Sequence, residues 1–394
     1  MQIFGHTNQN LLKEDGRMNK ITEWQLYCIL VLLTMPVAFL EQPHRLIHIA
    51  FNNAWLTFVP VFLTGALLIK VYEVIIKKSR EPFPVMLDEH LGKIAGRLLG
   101  SVYIFIFLLT CAFNVRVFLE FMKMMVLPMT PISVFIGVIL LVGYMAIKTG
   151  LSGVARFSEF FIPISLTFAI LIVLISLAGN FNLKNIYPIG YIGYKAYGMG
   201  VFTATLILGK MMPVLSLAYF LADKKRVTGV MYKILFTYVP FLAFSSFAVV
   251  VTLGTYPARN FVFPSFNMIR LAQVGTFLQN MDIFFVAVLI IGIVGAVTIS
   301  WWMACFTTQK VFKLRNYRFV AAPTSLIIGI LALIISRNNL GVVIWSLKII
   351  PLIFAIFFIL LPLLVCIICM FKPDIPALEP ADSPEMLHKQ EVAG

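Results

Sequence analysis

Ten stretches of this chain are apolar for long enough to cross a bilayer: 24–41, 54–76, 98–120, 132–148, 157–179, 197–221, 233–254, 281–309, 319–336 and 344–371. A spanning helix needs about 20 mostly apolar residues. Lipid offers the backbone no hydrogen-bond partner, so such segments must be helices or a closed barrel, and runs of this length select helices. Composition agrees: 60% of the residues are hydrophobic and 12% charged, against about 45–50% and about 25% in soluble domains. The expected fold class is all-α, a polytopic membrane protein of ten transmembrane helices.

The net charge of +14 raises the question of nucleic acid. The basic residues answer it by their distribution. Lys13, Arg17 and Lys20, the 77–97 connection, Lys148 and Arg156, Lys224 to Lys233, Lys310 to Arg318 and Lys372 all fall on one side of the ten runs. The other side holds far fewer. This bias places both termini in the cytoplasm and makes the charge topological, so no nucleic-acid partner is expected. The opening MQIFGHTNQNLLKEDGR is polar and unlike a secretory signal. Residues 1–17 are expected to be a flexible extension, 18–373 the membrane domain and 374–394 a flexible cytoplasmic tail.

Cys28, Cys111, Cys305, Cys366 and Cys369 all sit in apolar runs. The Cys366/Cys369 spacing has no second ligand pair, so neither a metal nor a cofactor is expected. His44 and His48 are one helical turn apart in an outer loop, again without further ligands. No phosphate-binding glycine loop, HExxH helix or Ser/His/Asp set is present, and the cytoplasmic connections are too short for a catalytic domain. An enzyme is not expected.

Ten spans divide into five and five, and an odd number per half makes the second half enter from the opposite side. Inverted repeats of this kind underlie many secondary transporters. The leading run of each half carries a helix breaker: LTMPVAFLEQP has Pro36, and LGKMMPVL has Gly209, Lys210 and Pro213. Both runs are therefore expected to be interrupted. Lys210 lies near mid-depth, where a lysine costs about 2.5–3.5 kcal/mol on insertion scales. It must meet a cavity, a backbone carbonyl or a partner; a bound carboxylate is one such partner. Arg116 and Glu120 are expected as an interfacial pair near the outer end of the third run. Arg156 and Glu159 open the fifth run and are expected to pair at i,i+3, as a membrane anchor or as a gate.

The order PFPVMLDEHLGKIAGRLLG, NVRVFLEF, LPMTPISV and GLSGVARFSEFFIP, together with ITEWQL near the start, resembles the endospore germination permease family. That family supplies the B-type membrane subunit of spore germinant receptors and belongs to the amino acid–polyamine–organocation transporter group. The resemblance covers about residues 20–370. It implies a transporter-like fold, residence in the spore inner membrane, and A-type and C-type receptor subunits as partners. It also implies the sensing of a small nutrient, commonly an amino acid, that triggers germination. A secondary amino-acid transporter and a non-binding channel or scaffold subunit are the alternatives. The implied site lies between the first and sixth spans: Thr34, Pro36, Val37 and Ala38, with Leu208, Gly209 and Lys210. Ile106 and Thr110 of the third span and Gly295 and Ile299 of the eighth would close it. Ala38 departs from the family's Gly-x-Gly break, where glycine lets a backbone approach a ligand.

Overall fold

The computed structural model describes residues 20–78, 81–221, 223–271, 281–336 and 339–371. The two expected flexible segments lie outside them. Among the described residues there is no strand; the one β-bridge joins Ile21 to Leu221.

Helix α1 (Glu23–Ala50) starts on a capping box: the Thr22 hydroxyl accepts the Gln25 N–H, and the Gln25 side chain accepts the Thr22 N–H. Every residue of α1 from Leu26 to Ile47 apart from Pro36 is buried, so this helix is the axis of the bundle. A 3₁₀ segment, Phe51–Phe58, leads to α2 (Val61–Lys78). A short α3 (Phe83–Leu91) precedes α4 (Lys93–Phe121), whose half from Ile106 onward is wholly buried. Then come α5 (Ile132–Thr149), α6 (Leu151–Gly179) and α7 (Tyr194–Leu208). Next are α8 (Val227–Leu253), the short α9 (Thr255–Asn260) and α10 (Pro264–Arg270). Finally α11 (Met281–Phe312), α12 (Arg318–Ile335) and α13 (Gly341–Phe371) complete the chain.

Nine helices among the described residues are long and apolar enough to cross a membrane. The predicted run 54–76 is divided: its start belongs to the 3₁₀ segment, and the rest forms most of α2. The second half of α2 carries Lys70, Glu73, Lys77 and Lys78, with Glu73 bonded to Lys70 at 2.9 Å and Lys77 at 2.7 Å. Those four charges within an 18-residue helix set α2 apart from the nine.

The connections gather at two ends. At the near end, where α1 begins, the Ile21 N–H donates to the Phe220 carbonyl at 2.9 Å. Arg226 pairs with Glu23 at 2.6 Å and Gln25 reaches Glu159 at 2.8 Å. At the far end, Asn52 donates to the Ile186 carbonyl at 2.7 Å and Asn185 to the Val251 carbonyl at 2.9 Å. Thus α1 starts at the near end and α7 at the far end, as two oppositely inserted sets of five require. Aromatic rings cluster at the near end: Trp302 stacks 5.0 Å from Phe306, and Phe220 packs edge-on against both.

Candidate functional site

The sixth run is broken where the sequence expects it. After Leu208 the chain tightens to a 3₁₀ turn, Gly209–Met211, then passes through Pro213 to a four-residue helix, Val214–Leu217. Pro213 offers no N–H to the Gly209 carbonyl. That carbonyl takes the Met212 N–H at 2.9 Å instead, and lies 3.5 Å from the Tyr72 hydroxyl. Helix α13 runs close against Gly209, where a Cβ would sit 3.3 Å from Cβ of Phe358.

The first run is not broken, contrary to the expectation at Pro36. Helix α1 continues through both Pro36 and Pro43. Two contacts explain the continuity. Glycines of α11 receive the helix: a Cβ on Gly292 would meet Pro36 at 2.9 Å, and one on Gly295 would meet Leu32 at 2.5 Å. The Phe39 carbonyl, which Pro43 deprives of its helical partner, accepts the Ser265 hydroxyl at 2.8 Å.

Lys210 is 4% exposed. Its Nζ lies 3.4 Å from Oδ1 of Asn114 on α4 and 5.5 Å from the Phe354 ring on α13. The Asn114 amide in turn donates to Ser300 Oγ on α11 at 3.5 Å. Broken run, α4, α11 and α13 therefore meet around one ammonium. Both immediate partners are neutral, and among the described residues no carboxylate forms an ion pair with it.

Two ion pairs share the buried interior. Arg45 donates to Glu41 at 2.9 Å, and its Nε to Ser346 Oγ on α13 at 2.7 Å. Arg116 bonds Glu120 one turn along α4. These residues are 1–6% exposed, so the expectation of an interfacial Arg116–Glu120 pair is corrected. Tertiary packing encloses the far half of α4, and a buried pair keeps both charges compensated. With Lys210, three cations stand against two anions, and the excess charge is the one beside the break.

The other residues expected at the site sit on α1, α4, α7 and α11. Thr34 is buried, and its hydroxyl donates back to the Leu30 carbonyl at 2.8 Å. Val37, Ala38, Ile106, Thr110, Leu208 and Ile299 are buried. Pro36 lines an apolar cavity of about 60 Å³ between α1, α6, α8 and α11, with Met35, Phe161, Ser165 and Phe241. Lys210 is not in that lining, so Pro36 and Lys210 belong to different surroundings.

At the near end, the expected Arg156–Glu159 pair is absent among the described residues. Arg156 is exposed, and Glu159 accepts the Gln25 side-chain amide at 2.8 Å. The same Gln25 caps α1, so α6 holds the start of α1 directly; a carboxylate on the α1-facing side finds the fixed amide before a mobile surface guanidinium. Close by, Glu81 between α2 and α3 has its pKa raised by burial, opposed by the field of Lys310. His44 and His48 lie within α1 instead of a loop, and they hydrogen-bond the carbonyls of Phe261 and Arg259.

Sequence reasoning passed over Asn114, Ser300, Phe354 and Ser265. Asn114 carried a signal, a lone amide in an apolar run. Phe354 carried none, since one aromatic among many has no local mark.

Residues 20–340 match the family described as spore germination protein, Spore_permease. Spore germination protein KB of Bacillus subtilis (strain 168) is 26% identical over 358 residues, covering 90% of this chain and 95% of the relative. Spore germination protein YndE of the same organism is 26% identical over 332 residues, covering 80% and 86%. Among solved structures, Mhp1, a nucleobase-cation-symport-1 family transporter, in a closed conformation with bromovinylhydantoin bound, superposes with a TM-score of 0.62 at 11% identity, covering 87% of this chain and 79% of that one.

Proposed function

The chain belongs to the spore permease family of spore germination proteins, an integral membrane family, and on that premise we propose that it is the membrane subunit of a germinant receptor. It senses a small nutrient of the amino-acid class at mid-membrane and starts germination from there. One observation carries this reading: Lys210, buried at a helix break, makes its direct contacts with the neutral Asn114 and Phe354 and has no ion pair among the described residues. An isolated buried charge is costly, and an anionic ligand group is the partner that would relieve it. The nutrient carboxylate meets Lys210 and Asn114, while Val37, Ala38, Ile106, Leu208 and Ile299 contribute the apolar walls and Thr110 a polar group.

In this reading the near end faces the cytoplasm, as the basic residues favour. The membrane is the spore inner membrane, and A-type and C-type receptor subunits are the partners. The Gln25–Glu159 and Glu23–Arg226 contacts then act as a cytoplasmic gate that nutrient binding loosens.

The test is equilibrium binding of a panel of radiolabelled amino acids to the purified full chain in lipid nanodiscs, beside its Lys210→Met variant. Saturable binding lost in the variant supports the reading. Binding unchanged in the variant removes Lys210 from the site, and no binding to wild type by any panel member leaves a scaffold role.

The likeness to Mhp1 favours a second reading, a secondary transporter. Vesicles containing the chain would then accumulate the bound amino acid under an imposed proton gradient and cease when it is collapsed. A sensor binds without accumulation.

A further inference from the structure

The far end of the bundle is covered by α9 and α10, and three hydrogen bonds join this pair to α1. His44 Nδ1 and His48 Nε2 engage the carbonyls of Phe261 and Arg259 at 2.8 Å and 3.0 Å. These are carbonyls at the C-terminal end of α9, where a helix leaves its last acceptors open. The third bond is the Ser265 hydroxyl to the Phe39 carbonyl at 2.8 Å. The Arg259 guanidinium adds a contact, 4.6 Å over the Phe51 ring.

The third bond differs from the other two in what it replaces. In an unbroken helix the Phe39 carbonyl would accept the N–H four residues on, and Pro43 has none. The carbonyl is enclosed: Phe39 is 4% exposed, with the rings of Phe241 and Phe285 at 5.6 Å and 5.4 Å. Ser265, 226 residues away in sequence, supplies the bond that the helix itself cannot make.

We propose that α9–α10 is a lid whose seating keeps α1 continuous at Pro43, so that lid position and helix continuity form one two-state element. Lifting the lid removes Ser265 and leaves the Phe39 carbonyl unpaired in apolar surroundings. Helix α1 then bends at Pro43 to find another donor or water, since an unpaired buried carbonyl is expensive. The linkage is reciprocal: anything that bends α1 at Pro43 loosens the lid by the same free energy. Ser265 is a positioning residue and touches no ligand. The device does not depend on which ligand binds, or on whether the chain senses or transports.

Hydrogen–deuterium exchange on the full chain in lipid nanodiscs tests it. Ser265→Ala is expected to speed exchange by about 3- to 10-fold, the worth of one such bond, both in lid peptides covering 255–270 and in α1 peptides covering 39–47. Peptides of α5 should not move. Ser265→Thr, which keeps the hydroxyl, should leave both regions slow. Pro43→Ala returns an N–H to the Phe39 carbonyl; in that background Ser265→Ala should speed the lid alone. The proposal is overturned if α1 keeps its wild-type rate in Ser265→Ala while the lid accelerates. It is equally overturned if the α1 acceleration persists undiminished with Pro43→Ala, or if α5 accelerates with the rest. Should Pro43→Ala fail to fold, equal α1 exchange in the Ala and Thr variants at 265 still sinks it.

Discussion

The first and sixth membrane runs both carry prolines, yet α1 stays helical and the sixth run comes apart. Pro36 and Pro43 sit in a helix that is enclosed on every side, met by glycines of α11 and by a hydroxyl from α10. Pro213 sits four residues past Gly209, where α13 lies close and the Gly209 carbonyl is taken by the Met212 N–H of its own tightened turn, with the Tyr72 hydroxyl of α2 at 3.5 Å. A proline removes one donor in either case. The outcome depends on where the released carbonyl finds its next partner. At Pro43 the partner comes from outside, as the Ser265 hydroxyl, and α1 stays helical; in the sixth run the chain supplies it by tightening into a 3₁₀ turn. The consequence is chemical: among the described residues, the broken run presents a buried ammonium whose direct contacts are neutral.

The largest expected effect concerns the charges that α1 holds in place. Arg45→Ala strips Glu41 of its buried partner and should cost about 3–5 kcal/mol in unfolding measured by denaturant titration. The double variant Glu41→Gln with Arg45→Met should recover most of that loss, because no uncompensated charge remains. Equal instability of the single and double variants would mean the pair matters by shape alone.

Next is the charge in the broken run. Lys210→Met should leave thermal stability unchanged or raise it, since a buried cation with no ion pair among the described residues gives way to an apolar chain of similar length. Nutrient binding should fall by about 30-fold or more, the usual penalty for truncating a buried charged contact. A stable variant that binds like wild type would separate the break from the site.

Smaller again is the fit of α1 against α11. Gly295→Ala places a methyl group within 2.5 Å of Leu32 Cδ2 and should cost about 1–3 kcal/mol of stability, as overpacking does. Helix α1 would then show faster amide exchange around Leu32. Identical melting curves would mean that Leu32 turns away freely and that the glycine is not what keeps α1 straight.

The smallest concerns the support of the break. The Tyr72 hydroxyl donates to the Phe358 carbonyl at 2.5 Å, within the π-helical segment Ala355–Leu360 of α13. Such segments leave carbonyls without their α-helical donors, and Tyr103 serves the neighbouring Phe357 carbonyl at 2.8 Å. Tyr72→Phe should cost about 0.6–1.5 kcal/mol in the same titration. Unchanged stability would assign the π segment to α13 itself.

Much of the fold was readable without coordinates. Apolar runs gave the membrane helices, and the one run that departs, 54–76, is the one whose charges set α2 apart. Gly209, Lys210 and Pro213 pointed to the broken run from composition alone, because a lysine and two breakers in an apolar stretch have few structural uses. The site was less legible. Asn114 approaches Lys210 from 96 residues away in the chain, Phe354 from further still, and no local pattern joins them. Arg156 and Glu159 looked like partners because spacing is visible; Gln25, the actual partner of Glu159, lies 134 residues upstream.

By itself the sequence determined that this chain crosses a bilayer, which connections share a side, and which family it belongs to. These rest on local hydropathy, charge and motif order, each carried by neighbouring residues. Only the tertiary structure decided that α1 remains whole, that Arg116 and Glu120 are buried, and that Lys210 has no ion pair among the described residues. Each of these turns on whether a polar group finds a partner. In a membrane protein that partner is supplied by another helix far along the chain, because lipid supplies none.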